Sequence, residues 1–134
     1  MWSINWIAVV AAALSAFLVG GLWYGPLFLK PWLRANGQTE ETAQKGHAPT
    51  IFGLSFLLNL VSAFVLAQIY RLHGDIGLCQ SILIALGVAI GFIVPAYGVN
   101  YLFAQRKLAL FAIDAGYWIV TYALMGAVLG AFGG

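Results

Sequence analysis

Long uncharged runs of apolar residues set the folds that are open to this chain. The first run, from Ile4 to Leu22, contains no charged residue. At about 1.5 Å per helical residue it is long enough to cross a hydrocarbon core of about 30 Å. Of the 134 residues, 63% are hydrophobic and only 7% are charged, whereas soluble domains carry roughly 25% charged residues. The sequence therefore predicts a protein whose surroundings are a lipid bilayer.

Four such runs predict an all-α fold: a single transmembrane domain that forms an integral membrane bundle of four transmembrane helices with short loops. The predicted spans lie at about residues 4–24, 51–70, 77–103 and 108–132, with an interfacial segment and polar loop at 26–49. No Lys or Arg precedes Lys30, so the first run lacks the basic start of a signal peptide and is interpreted as a retained helix. Gly25-Pro26 is expected to break that helix.

The distribution of basic residues predicts the orientation. The first and third connections lie on one side of the membrane and carry five of the six Lys and Arg residues: Lys30, Arg34, Lys45, Arg106 and Lys107. The second connection holds only Arg71. The positive-inside rule then places loops 25–50 and 104–107 in the cytoplasm and both termini outside. The expected location is the bacterial cytoplasmic (inner) membrane, with a multi-pass topology.

The third run is longer than one crossing, and it combines a predicted kink at Pro95 with a pattern of glycines. On an uninterrupted helix Gly87, Gly91 and Gly98 share one narrow arc. Gly87-x-x-x-Gly91 is the spacing that allows two helix backbones to approach closely in a membrane. We therefore expect these three glycines to be helix-packing residues.

Small residues also form a stripe along the fourth run. Its members fall within about 40° of Gly116 at 3.6 residues per turn: Ala109, Ala112, Gly116, Ala123, Ala127 and Gly130. This stripe predicts a tight helix contact, in which Gly116, Ala123 and Gly130 are the expected packing residues. The opposite half of the helix is expected to carry the polar side chains.

Asp114, on that opposite half, is the only acidic residue within an apolar run. A carboxylate in the membrane is costly and suggests a functional site. Asn59, Asn100 and Tyr117 are predicted to converge with it in the cytoplasmic half of the bundle. The alternative is that Asp114 lies near the interface and pairs with Arg106 or Lys107 as an anchor. The sequence leaves both interpretations open.

Several classes of function find no support in the residues. The single cysteine, Cys79, allows no intrachain disulfide, and neither histidine has a second ligand at metal spacing. No catalytic residues, cofactor or metal site are predicted, because no Ser/His/Asp set, paired carboxylates or phosphate loop is present. The net charge of +2 is too small and dispersed for nucleic-acid binding. We expect the protein not to be an enzyme.

Three segments together resemble a known family. They run from Gly21 to Phe28, from Asn100 to Phe103 and from Ala115 through Trp118 to Gly130. In this order they resemble the domain of unknown function 1761 family of small four-helix membrane proteins. The resemblance implies the fold and a membrane location, and it implies no activity.

Two functions remain as hypotheses. The first is a structural or interaction subunit that packs against itself or against a larger membrane complex, as the glycine patterns and short loops suggest. Its partners would be the lipid bilayer and either a second copy of the chain or another membrane protein. The alternative is a small oligomeric transporter or channel that uses the polar cluster around Asp114.

Overall fold

The computed structural model describes residues 5–37, 48–74 and 76–132, and all regular structure in these ranges is helical. Four helical stretches are long and apolar enough to cross a membrane: Trp6–Leu27, Pro49–His73, Leu78–Phe103 and Leu108–Ala131. They are called the first to fourth spans below. The predicted all-α bundle of four transmembrane helices is thus confirmed. Most of the predicted polar loop, residues 38–47, lies outside the described residues.

The first span consists of α1 (Trp6–Leu22) and a π-helical turn (Trp23–Leu27). The side chain of Asn5 caps α1 by accepting a hydrogen bond from the Ala8 N–H. Pro26 lies inside the π-helical turn, and the wider turn accommodates its missing N–H group. The chain is therefore not simply broken at Gly25-Pro26, since it continues into a short helix, α2 (Leu29–Asn36), which ends at Gly37 with φ of 71°.

The second span is α3 (Ala48–His73). The third span contains α4 (Leu78–Val88), a second π-helical turn (Ala89–Ile93) and α5 (Val94–Phe103). The fourth span is a single helix, α6 (Leu108–Ala131). The third span therefore departs from a regular helix just before Pro95, as a proline that cannot donate to the preceding turn requires.

The π-helical turn places Gly98 on a different face from the other two glycines of the third span. Because its extra residue shifts the helical register, Gly98 no longer shares a face with Gly87 and Gly91. Gly87 and Gly91 are exposed, and a Cβ atom at either would meet nothing within 4 Å. A Cβ atom at Gly98 would lie 3.6 Å from the ring of Phe111. The single glycine arc expected from an uninterrupted helix is thus not formed.

The first and fourth spans form the centre of the bundle. α1 packs against both α3 and α6, and α4 packs against the other side of α6, so the order is second, first, fourth, third. In their most apolar stretches 39% of the residues are buried in the first and fourth spans, against 22% in the second and 11% in the third. Most of the third span is therefore left to face lipid or another protein.

α4 and α6 approach each other closely at Ser81. A Cβ atom at Gly126 would lie 2.7 Å from the Ala85 Cβ atom and 2.9 Å from the Ser81 carbonyl oxygen. At Gly130 it would lie 2.6 Å from the Ser81 Oγ atom. The Tyr70 hydroxyl of α3 donates to the same Ser81 carbonyl. Three spans therefore meet where the absence of two side chains on α6 makes room for them.

The small-residue stripe on the fourth span has only part of its expected role. Gly130 contacts Ser81 closely, and Gly116 lies against the ring of Trp23. Ala123 is half-buried, whereas Ala109 and Ala112 are exposed. The most buried face of α6 is the opposite one, formed by Leu110, Asp114, Tyr117, Thr121, Met125 and Leu129. The expected division into one packing face and one polar face is therefore wrong, because the face that carries Asp114 is also the one that packs most deeply.

The contact between α4 and α6 predicts that Gly126→Ala destabilises the protein. The added methyl group overpacks Ala85 and the Ser81 carbonyl, at a cost of about 1–3 kcal/mol. Gly53→Ala is the matched control, because a Cβ atom there meets nothing within 4 Å. Unfolding in mixed micelles, followed by circular dichroism, measures both free energies. Equal stability of the two variants would contradict the close contact.

Candidate functional site

Asp114 lies in the second turn of α6, about 9 Å along the helix axis from Leu108. Although it is near one end of the span, its side chain is only 8% exposed. It faces the end of the first span, the inner side of α2 and the end of α5, which contribute the three side chains bonded to it. The carboxylate is therefore enclosed by protein rather than extended into the interface.

Three hydrogen bonds from three separate segments hold the carboxylate. The Tyr24 hydroxyl and the Trp32 indole N–H donate to its Oδ1 atom, at 2.5 Å and 3.1 Å. The Tyr101 hydroxyl donates to its Oδ2 atom. A carboxylate only accepts hydrogen bonds, and bonds to an ionised acceptor are stronger than those between neutral groups. Both oxygens of Asp114 are therefore engaged by neutral donors.

The π-helical turn of the first span attaches two successive aromatic residues to one turn of α6. The Trp23 indole N–H donates to the Ile113 carbonyl oxygen at 2.9 Å, while Tyr24 binds Asp114. The Trp23 ring also lies over Gly116, where a Cβ atom would be 2.9 Å from the Trp23 Cζ2 atom. Gly116 thus serves the contact with an aromatic ring rather than with another helix backbone.

Aromatic rings surround the carboxylate. The Tyr24 ring lies 5.7 Å from that of Trp32 and 5.1 Å from that of Tyr117, measured between centroids. The Tyr101 ring lies 5.5 Å from Tyr97 and 6.3 Å from Phe111. These separations are typical of packed aromatic pairs, which fix one another's orientation. Asp114 and the rings around it, namely Tyr24, Trp32, Tyr97, Tyr101, Phe111 and Tyr117, are called the Asp114 cluster below.

No ion pair holds Asp114 within the described part of the chain. Arg106 and Lys107 are both exposed, and the carboxylate is satisfied by Tyr24, Trp32 and Tyr101 instead. The alternative in which Asp114 pairs with these bases as an interfacial anchor is therefore not what the structure shows. The carboxylate instead faces the interior of the bundle, where aromatic side chains supply its hydrogen-bond donors.

Of the residues expected to converge with Asp114 in the polar cluster, Tyr117 lies beside it, since its ring packs against that of Tyr24, which donates to the carboxylate. Asn59 is buried on α3, near the Tyr117 hydroxyl. Asn100 is exposed on α5 and takes no part. Its neighbour Tyr101 occupies the place beside Asp114 instead.

Sequence reasoning missed the three donors, Tyr24, Trp32 and Tyr101. Aromatic residues near the ends of apolar runs usually belong to the interfacial belts of a membrane protein, so their positions did not distinguish them. One signal could have identified them. A buried carboxylate needs hydrogen-bond donors, and Tyr and Trp are the donor side chains closest to the ends of these spans. Among the described residues no group of three His, Cys, Asp or Glu side chains is arranged to hold a metal ion.

Comparison with protein families decides the relationship. The family described as "Protein of unknown function (DUF1761)" matches residues 7–130. This chain belongs to the DUF1761 family. The match covers all the donors to Asp114 as well as the glycines at the contact between α4 and α6. Searches among curated proteins and among solved structures find no significant match to this DUF1761 protein.

The site predicts that Tyr101→Phe destabilises this DUF1761 protein by about 1.5–3 kcal/mol, the usual contribution of a hydrogen bond to a charged group. Tyr97→Phe is the matched control, because it removes a hydroxyl from the neighbouring ring without removing a donor to Asp114. Unfolding in mixed micelles gives both free energies. If the two variants lose the same stability, the Tyr101 bond does not contribute as described.

Proposed function

We propose that this DUF1761 protein is a non-enzymatic membrane subunit that associates with a second copy of itself through the exposed face of its third span. The observation that carries the proposal is the position of Gly87 and Gly91. They form a small-residue pair on the span that has the smallest buried share. The proposal names a second copy as the partner, and another membrane protein is the competing outcome of the test.

The third span uses only one of its faces within the bundle. The buried residues Ser81, Ala85 and Ala89 lie on that face, and the first two contact Gly126 of α6. Leu83, Gly87 and Ile90 lie on the other side and are exposed. One side of the span is thus committed to α6, while the other has no neighbour in the described residues.

Exposed glycines support a helix partner more directly than exposed leucines do. Apolar side chains that face lipid cost nothing, so the driving force for association in a membrane is close packing. Gly87 and Gly91 leave a groove flanked by larger side chains such as Leu83 and Ile90. In a twofold-symmetric pair the same face supplies the groove and the ridge that fills it. One surface can therefore serve both partners.

The second candidate, a small oligomeric transporter or channel, is favoured by the burial of Asp114 among neutral donors. In a single copy, however, the described residues give little support for a continuous polar path across the membrane. On the same face of α6 the buried residues Met125 and Leu129 follow Asp114 and Thr121, and they belong to the apolar core with α1. Transport therefore ranks below association.

Two variants test the association. Gly87→Ile and Gly91→Ile fill the groove with a branched side chain, and we expect both to convert a dimer into a monomer in lipid nanodiscs or mild detergent. Light scattering coupled to chromatography gives the mass of the protein in each complex. Gly53→Ile is the matched control, because Gly53 is also an exposed helical glycine with open space around it. A monomeric wild type, or dimers that survive both substitutions, would overturn the proposal.

For the orientation we propose a cytoplasmic-membrane protein whose first and third connections face the cytoplasm. Support comes from Lys30, Arg34, Arg106 and Lys107, which are exposed at the end of the bundle that holds the Asp114 cluster. At the opposite end the Asn5 side chain donates to the Phe132 carbonyl oxygen at 3.5 Å. The two ends of the described chain therefore lie on the same side.

The exposed Cys79 tests this orientation without a new label site, because it is the only cysteine and lies just after the second connection. A membrane-impermeant maleimide should label it in intact cells. The double variant Cys79→Ser, Ala104→Cys moves the thiol to the exposed third connection and should require permeabilised cells for labelling. The reverse pattern would show the opposite orientation.

A further inference from the structure

We propose that the Asp114 cluster is a binding site for small organic cations, meaning ammonium or phosphonium groups that carry apolar substituents, and that the bound cation takes the place of the Trp32 indole N–H. This inference does not depend on self-association through the third span. It rests on the charge of Asp114, on the rings around it and on the way in which α2 covers it.

The negative charge of the Asp114 carboxylate is the feature that a cation would recognise. Asp114 is 8% exposed, and its described partners are two hydroxyls and one indole N–H. Neutral donors supply only partial charges, whereas a buried carboxylate is best balanced by a full positive charge close to it. Among the described residues no basic side chain forms an ion pair with Asp114, and Arg106 and Lys107 are exposed. A bound cation would supply the full positive charge, for which the three neutral donors substitute only in part.

The rings determine which kind of cation fits. Trp and Tyr rings attract cations through the electrostatic field of the π system. Tyr24, Trp32 and Tyr101 bring the hydroxyl or N–H edges of their rings to the carboxylate, so a cation at Asp114 would lie among these rings. Hard metal ions instead need several oxygen ligands, and the site offers one carboxylate. An ammonium group with apolar substituents can use the carboxylate and the ring faces together, so it is the class that the site favours.

The position of Trp32 indicates how the site opens. Its N–H···O bond to Asp114, at 3.1 Å, is slightly longer than the usual about 2.9–3.0 Å, whereas the O–H···O bond of Tyr24, at 2.5 Å, is shorter than the usual about 2.7–2.8 Å. The Trp32 side chain is only half-buried. Trp32 is also the only one of the three donors that lies outside the four spans, on the eight-residue helix α2. Displacing it requires a movement of α2, which also carries the buried Leu33 and Ala35, whereas displacing Tyr24 or Tyr101 would disturb a transmembrane helix.

The basic residues around the site restrict the route of entry. Lys30 and Arg34 are exposed on α2, and Arg106 and Lys107 are exposed before α6. Their charges oppose the approach of a hydrated cation from water, although salt screens this effect over about 10 Å. A cation with apolar groups concentrates at the bilayer interface and can reach the cluster from there. The surroundings therefore favour lipophilic cations over hydrated inorganic ones.

The test uses the purified full-length protein in lipid nanodiscs, with tetraphenylphosphonium and benzyltrimethylammonium as cationic probes and benzyl alcohol as a neutral one. Titration calorimetry and tryptophan fluorescence report the binding. We expect saturable binding of both cations and none of benzyl alcohol. Asp114→Asn should weaken cation binding at least about tenfold, since it removes the full charge. The control Cys79→Ser should leave it within about twofold, because Cys79 is exposed at the opposite end of the bundle.

A second variant keeps the proposal testable if Asp114→Asn does not fold. Trp32→Phe preserves the aromatic face but removes the indole N–H that competes for Asp114, so it should bind the cations several-fold more tightly. Circular dichroism and chromatography establish that each variant is folded. The proposal is overturned if neither cation binds saturably, if folded Asp114→Asn binds as well as the wild type, if benzyl alcohol binds equally, or if Trp32→Phe weakens binding.

Discussion

The enclosed carboxylate of Asp114 is the constraint on which the arrangement of this end of the bundle depends. A bilayer core offers no water to solvate a charge, so donors must come from the chain itself. Here they come from the first span, from α2 and from the third span, which are distant in sequence. One side chain on α6 thereby fixes the π-helical turn of the first span, the inward face of α2 and the register of α5.

At the other end of the bundle, close packing at glycines, rather than hydrogen bonding, determines how α6 contacts its neighbours. Gly126 and Gly130 let α6 approach α4 so closely that Ser81 of α4 packs against both glycines. Tyr70 of α3 can then reach the Ser81 carbonyl oxygen. Packing of this kind suits a membrane, where apolar burial gives no driving force and close van der Waals contact does. α6 is thus held by polar contacts near its start and by backbone proximity near its end.

The sequence predicted the helical class, the four spans as a class of element and the prominence of Asp114, because charge and hydropathy in a membrane are strong signals. It could not predict which aromatic residues serve Asp114, since Tyr24 and Trp32 occupy positions typical of interfacial belts. It also misplaced Gly98 relative to Gly87. That error has a physical origin: a single extra residue in a π-helical turn invalidates every angle calculated beyond it. Contact partners of α6, including Trp23 over Gly116, depend on tertiary geometry that periodicity does not contain.

The π-helical turn at Ala89–Ile93 makes the third span two helices with independent phases. Its first half is phased to fit Ser81 and Ala85 against Gly126, and its second half is phased to aim Tyr101 at Asp114. Removing the extra residue from the turn would rotate Tyr101 by roughly 100° about the helix axis without disturbing α4. A change in the length of this turn would thus alter the hydrogen-bond donors to the carboxylate from the middle of the span, at a point that touches neither the carboxylate nor the glycine contact.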